Sequence, residues 1–213
     1  MMQAILNVGY PLAAVGYLIS ARWLPYPGHA LVKAVPILLL AAIVFSRTER
    51  SRARLLFGIG LLFSAGGDIA LASRFPLYFV TGLGLFLVAH VFYIAAFQRR
   101  PRASLRERGL PLGLIFFVVL AVAVLVLPRA GALLVPVTAY VLAITIMGVL
   151  AAVQRHDAPA LFTGALLFIM SDSIIAVNKF VVTIPQAGIL IMTTYYLAQF
   201  LLTRGMLGLT RAR

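Results

Sequence analysis

Cysteine is absent from the 213 residues, which excludes disulfides, thiolate zinc sites, iron–sulfur clusters and cysteine nucleophiles together and leaves the redox compartment unreadable. Acid is scarce, with five Asp and Glu against 18 Lys and Arg, a formal charge of +13. Charged residues of both signs make up only 11% of the chain, where a soluble domain carries about a quarter. No polar stretch is long enough for a separate soluble domain. An excess of base in a polar chain would suggest nucleic acid, but here the base is confined to short clusters between apolar runs, and nucleic acid is not an expected partner. Lysine is nearly missing as well: only Lys33 and Lys179 are Lys, the rest of the base being Arg, a skew that points to a GC-rich bacterial genome. The first apolar run has no basic segment ahead of it, since the first Arg is Arg22, so it reads as a retained helix and not as a cleaved signal.

What the chain has in abundance is apolar residue, 63% of the total, with a mean hydropathy of +1.06. A transmembrane helix needs roughly 20 mostly apolar residues. Eight windows fit: 5–21, 30–46, 55–73, 77–97, 110–127, 133–153, 160–178 and 187–203. Pro and charge signals mark the breaks, among them Pro25, Pro27, Pro76, Pro101, Pro128 and Pro185. The runs are continuous and not alternating, which disfavours a β-barrel. The expected fold is all-α and polytopic, a single eight-helix domain over residues 1–213 with both termini on one side. That side receives Arg47, Arg50, Arg52, Arg54, Arg99, Arg100, Arg102, Arg106, Arg108, Arg155, Arg204, Arg211 and Arg213; the other receives Arg22, Lys33, Arg74, Arg129 and Lys179. The positive-inside rule makes the first side cytoplasmic, and the expected location is a bacterial inner membrane. Basic loops can also hold anionic head groups of membrane lipids, but topology is the simpler reason for them.

The acids divide by position. Glu49, Glu107 and Asp157 lie in loops among arginines, where a solvated ion pair accounts for them. Asp68 and Asp172 lie inside the third and seventh windows, where an acid costs about 2.5–3.5 kcal/mol to insert and normally faces a partner or a water-filled cavity. At 1.5 Å per residue, Asp68, Asp172 and Lys33 all fall roughly 8–10 Å below the same membrane edge, and His90 falls about 10 Å deeper. That mismatch argues against Asp68, Asp172 and His90 sharing one metal ion, and no metal site is assigned; His90 is expected to hydrogen-bond within the bundle. A structural pairing of Asp68 with Lys33 is the alternative to a functional role.

Aligning the two aspartates brings Gly60 onto Gly164, Leu62 onto Leu166 and Ala72 onto Ala176. An offset of four helices preserves orientation, so the pattern suggests two parallel four-helix repeats, 1–105 and 106–213, with pseudo-equivalent aspartates facing each other. Small residues beside them, Ala65, Gly66 and Gly67 on one helix and Ser171 and Ser173 on the other, permit close helix approach or leave room for a ligand. Two carboxyls at one depth in an apolar setting suit acid/base work, one holding a proton while the other stays ionised. There is no G-x-S-x-G, so a lipase-type acyl transfer is not expected.

The strings Lys33-Ala34-Val35-Pro36, Gly60-Leu61-Leu62-Phe63-Ser64-Ala65-Gly66-Gly67-Asp68, His90-Val91-Phe92-Tyr93, Ser171-Asp172-Ser173-Ile174-Ile175-Ala176-Val177-Asn178-Lys179-Phe180 and Tyr196-Leu197-Ala198-Gln199 together resemble the YhhN family of integral membrane proteins, whose characterised animal members are lysoplasmalogenases. Gly66 departs from that pattern, which has a larger apolar residue there. The resemblance implies an eight-span hydrolase that cleaves the vinyl-ether bond of a lysophospholipid to a fatty aldehyde and a glycerophospho-base, without a cofactor. Asp68 and Asp172 would be the catalytic pair; Lys33, Asn178 and Lys179, with His90, Tyr195, Tyr196 and Gln199, would bind or orient the substrate. Two other readings use the same aspartates: a proton-coupled lipid or small-molecule transporter, and a non-catalytic lipid-binding scaffold.

Overall fold

The computed structural model describes residues 5–47, 51–73, 75–155 and 158–208. Glu49, Arg50, Arg74, His156, Asp157, Arg211 and Arg213, all placed in loops or termini by the sequence, lie outside the described residues. Among those described, eight α-helices follow one another: α1 Tyr10–Ser20, α2 His29–Phe45, α3 Arg52–Ala72, α4 Tyr78–Gln98, α5 Gly109–Val126, α6 Leu134–Ala152, α7 Ala158–Phe180 and α8 Ala187–Met206. A π-helical turn at Ile5–Gly9 and a 3-10 turn at Ala21–Trp23 extend α1 at both ends. The described residues form no strand; an isolated antiparallel bridge joins Arg102 and Gln154.

The helix limits follow from local chemistry. Gly28 takes a left-handed φ of +79° just ahead of α2, a conformation that costs glycine nothing. Ser51 caps α3 by accepting the Arg54 N–H at 3.2 Å, so the helix starts three residues earlier than its hydropathy implies. Pro36 sits inside α2 and removes one intrahelical bond a turn beyond Lys33.

Among the described residues, five segments, Arg52–Ala72, Tyr78–Gln98, Leu105–Arg129, Gly131–Ala152 and Pro159–Phe180, are long and apolar enough to cross a membrane. The protein is an integral membrane protein. Its α5 turns Phe117, Leu120 and Val124 outward, a face that water would not tolerate over such an area but hydrocarbon does.

The chain forms two compact units, Met1–Ala96 and Phe97–Arg213. In the first, α3 and α4 pack at one constant register. A Cβ added at Gly60 would lie 2.5 Å from the Tyr93 ring, one at Gly67 2.6 Å from the Phe86 ring, and one at Gly82 2.5 Å from Leu71. Each glycine thus makes the hole that a large side chain of the other helix fills. In the second unit, Gly164 and Gly205 do the same for α7 and α8, receiving Leu202 and Leu161. Backbone bonds also tie the α4–α5 connection to the α6–α7 turn, from Ala103 N to Val153 O (2.8 Å) and from Arg155 N to Pro101 O (3.0 Å).

At Gly164 the neighbours of an added Cβ include the main chain, Leu202 N at 2.9 Å and Ala198 O at 3.0 Å, whereas nothing lies within 4 Å at Gly188 on α8. Gly164→Ala is therefore expected to destabilise the protein by about 1–3 kcal/mol, and Gly188→Ala to be neutral or mildly stabilising. Thermal melting of the two variants in one detergent checks this; equal melting temperatures would contradict the close α7–α8 approach.

Candidate active site

Asp68 lies on α3 with 1% of its surface exposed, and Lys33 on α2 with 9%. The Lys33 ammonium is 3.4 Å from Asp68 Oδ1. The antiparallel run of α2 against α3 makes this contact. One turn nearer the end where α2 begins, the His29 Nε2 is 3.0 Å from the Ala72 carbonyl, while its Nδ1 is 2.8 Å from the Tyr26 carbonyl. His29 and Lys33 are four residues apart on α2, and Ala72 and Asp68 four apart on α3, so the His29 contact and the ion pair occupy successive turns of one helix pair. The equal depth read from the sequence for Lys33 and Asp68 is thereby borne out. The Lys33 ammonium, which the resemblance assigns to substrate binding, lies against Asp68, the structural pairing that the sequence also allows.

The phenols of Tyr10 and Tyr17 on α1 come within electrostatic reach of Asp68. Both rings are buried. Beyond Asp68, the last turn of α3 and the segment that follows line a cavity of about 510 Å³ with Leu71, Ala72, Ser73, Phe75, Pro76 and Tyr78. His90 is fully buried on α4 and its Nδ1 is 2.7 Å from the Phe86 carbonyl. The α3–α4 register, in which Gly67 faces Phe86 and Gly60 faces Tyr93, sets Leu85 level with Asp68 and His90 five residues, roughly 8 Å, further along. That agrees with the depth difference expected from the sequence; the Phe86 carbonyl that His90 meets belongs to its own helix. Among the described residues no three His, Cys, Asp or Glu side chains gather as a metal site would require.

In the second unit Asp172 is half-buried on α7, and its Oδ2 accepts a 2.5 Å hydrogen bond from the Tyr140 hydroxyl on α6. Beside it the Ser171 hydroxyl donates to the Ile191 carbonyl at 3.1 Å. Tyr195, Tyr196 and Gln199 are buried on α8; the Gln199 amide reaches the Tyr195 hydroxyl at 3.4 Å, and the Tyr195 ring meets Phe168 edge-on at 5.4 Å. Asn178 uses its Oδ1 to accept the Ile184 N–H at 2.8 Å, which closes the turn into α8. Lys179 is exposed.

A model of the YhhN family matches residues 28–206. The chain belongs to the YhhN family. The lysoplasmalogenase TMEM86A of Bos taurus is 38% identical to this YhhN protein over 200 residues, which covers 84% of the chain and 80% of that relative. The human lysoplasmalogenase TMEM86B is 34% identical over 178 residues, covering 82% and 73%. A lysoplasmalogenase of Mycobacterium tuberculosis is 33% identical over 188 residues, covering 84% and 71%. No solved structure matches the chain.

Sequence reasoning missed three tyrosines near the acids of this YhhN protein: Tyr140, Tyr10 and Tyr17. The signal available was the tyrosine itself, because a phenol in a membrane helix needs a partner for its hydroxyl. It is easily read as packing instead.

Removing one partner of a buried ion pair costs about 3–5 kcal/mol, while replacing both with apolar residues of similar volume is often near neutral. Lys33→Met is therefore expected to lower stability sharply, and Lys33→Met combined with Asp68→Leu to recover most of the loss. Unfolding of both variants in detergent measures the coupling; additive losses would show that the pair does not interact.

Proposed function

We infer that this protein is a membrane-embedded hydrolase that cleaves the vinyl-ether bond of lysoplasmalogens, releasing a fatty aldehyde and a glycerophospho-base. The observation that carries this reading is the identity of 33–38% with lysoplasmalogenases of mammals and mycobacteria over 84% of the chain. The substrate is a lysophospholipid supplied from the membrane.

The reaction requires protonation of the β-carbon of the vinyl ether, stabilisation of the resulting oxocarbenium ion, addition of water to it, and collapse of the hemiacetal. One water is consumed; the proton added to carbon is balanced by the one lost from the attacking water. Two carboxyl groups can supply these steps, as they do in glycoside hydrolysis. We assign Asp68 to the ionised role, because a lysine ammonium lies 3.4 Å from it; it faces the oxocarbenium ion or accepts the proton of the water. Asp172 is assigned the acid's role, with Tyr140 as its positioning residue through the hydroxyl bond. Tyr195, Tyr196 and Gln199 are assigned to the walls along the substrate, and the cavity of about 510 Å³ beyond Asp68 to the approach of its polar end. Asn178 and Lys179 contribute at the end of α7. The chemistry needs no cofactor.

All eight helices are proposed to span the membrane, with α1 completed by its flanking turns. The basic connections face the cytoplasm, both termini with them, and the membrane is the bacterial inner membrane. The two units are proposed to be parallel repeats, with Gly60 and Gly164 each opening the approach to the next helix.

Incubation of the purified protein with lysoplasmenyl-ethanolamine is expected to release aldehyde, also after exhaustive chelation, and the saturated alkyl-ether analogue to remain intact. Asp68→Asn and Asp172→Asn should each lower release by at least about 10²–10⁴-fold, and Tyr140→Phe by a smaller factor. Full turnover in both Asp→Asn variants would overturn the carboxylate mechanism, and lysolipid transport without aldehyde would overturn the hydrolase reading. Because the chain has no cysteine, single introduced ones report topology cleanly. Ser104→Cys is expected to react with an impermeant maleimide only after permeabilisation, and Ala132→Cys in intact cells; the opposite pattern would invert the assigned orientation.

A further inference from the structure

At the other end of the α2–α3 hairpin, remote along α3 from Asp68, the last turn of α2 and the first of α3 enclose a second cavity of about 440 Å³. Its wall is divided by chemistry: Val44, Phe45 and Leu55 are apolar, while Arg47, Arg52 and Arg54 are basic, with Ser51 beside them. No acid is among the described residues that line it. We propose that this cavity binds an anionic phospholipid, its phosphate held by the arginines and its glycerol and upper acyl chain against Phe45 and Leu55.

Three features support this assignment. First, the Nε–H of Arg47 is buried and has no hydrogen-bond acceptor among the described residues. A buried donor left without an acceptor costs about 1–3 kcal/mol or more when charged, and a phosphate oxygen is the acceptor that a guanidinium fork is shaped to take. Elsewhere Arg100 donates to the Gly205 carbonyl at 3.0 Å, and Arg108 donates through Nη2 to the Gln154 carbonyl at 3.4 Å while its Nε–H, like that of Arg47, is buried without an acceptor among the described residues. Second, the first turn of α3, a helix of 21 residues, directs its amide groups and the positive end of its dipole to the same place. Third, the apolar wall is held open: a Cβ at Gly58 would lie 2.7 Å from the Phe45 ring, so glycine lets that ring lie back against α3. A site for a soluble anion would have no use for exposed Phe45 and Leu55 beside its arginines, whereas a lipid at the head-group level brings a phosphate and a hydrocarbon chain together. Insertion of the chain asks only that these loops be basic; it does not ask for a cavity.

The test uses the full-length protein in neutral detergent, with native mass spectrometry reading bound phosphatidylglycerol against phosphatidylcholine. Wild type is expected to bind one phosphatidylglycerol in preference. The Arg47→Gln, Arg52→Gln double variant should bind it about 25-fold more weakly, from roughly fivefold per basic residue at a membrane surface. Arg106→Gln combined with Arg155→Gln, which removes the same charge from other connections, should leave binding unchanged. Leu55→Glu puts an acid on the exposed apolar wall without touching an arginine and is expected to weaken binding as well, so the proposal stays testable if the double variant folds poorly. Equal binding by the Arg47/Arg52 and Arg106/Arg155 variants, or no preference over phosphatidylcholine, would overturn the site. A further arm adds inorganic phosphate at millimolar concentration: bound phosphatidylglycerol that survives supports the lipid, and stoichiometric displacement would overturn the lipid assignment in favour of a soluble phosphate.

Discussion

A carboxylate cannot be left unpaired in hydrocarbon, and the Lys33–Asp68 ion pair at 3.4 Å answers that constraint for the first unit. To bring the two charges together, α2 must run antiparallel to α3 at one register, and the His29 contact with the Ala72 carbonyl holds it a turn away. α3 must then accept α4 on its other flank without disturbing Asp68. Glycines at 60 and 67 do this, letting Tyr93 and Phe86 lie directly on the α3 backbone. Moving α2 along α3 by one turn would strand both charges, so the ion pair fixes the helix register as firmly as the packing does.

The second unit meets the same problem by another route. Asp172 is half-buried and is met by a neutral phenol, Tyr140. A hydroxyl donor serves a carboxylate and a carboxylic acid alike, because it can rotate to donate or accept; an ammonium serves only the anion. The two aspartates therefore differ in what their neighbours ask of them, although the sequence presents them as a matched pair.

Much of this is legible in the sequence. The eight apolar windows correspond to eight helices, because a continuous apolar run has few ways to satisfy its backbone in lipid. The common depth of Lys33 and Asp68, and the deeper position of His90, followed from helix rise alone. The start of α3 was misplaced by three residues because Arg52 and Arg54 mask its first turn in hydropathy, while the Ser51 cap decides it. The partner of Asp172 was not legible: Tyr140 sits in α6 among Val and Ala, and no local signal tells a tyrosine that donates to an acid from one that fills space. The setting of Lys33 was half legible for a related reason. A lysine near a membrane edge can face a substrate or a neighbour, and only the register of α2 on α3 distinguishes them.

The α4–α5 connection shows a different division of labour. Its path is written in main-chain bonds, Ala103 to Val153 and Arg155 to Pro101, with the Arg102–Gln154 bridge between them. Those bonds use atoms common to nearly every residue. The side chains of Arg99, Arg102 and Arg106 are consequently spared the task of shaping the loop, and what they supply is charge. Such positions can drift between arginine and lysine as a lineage's base composition shifts, and neither the course of the loop nor its side of the membrane has to change with them.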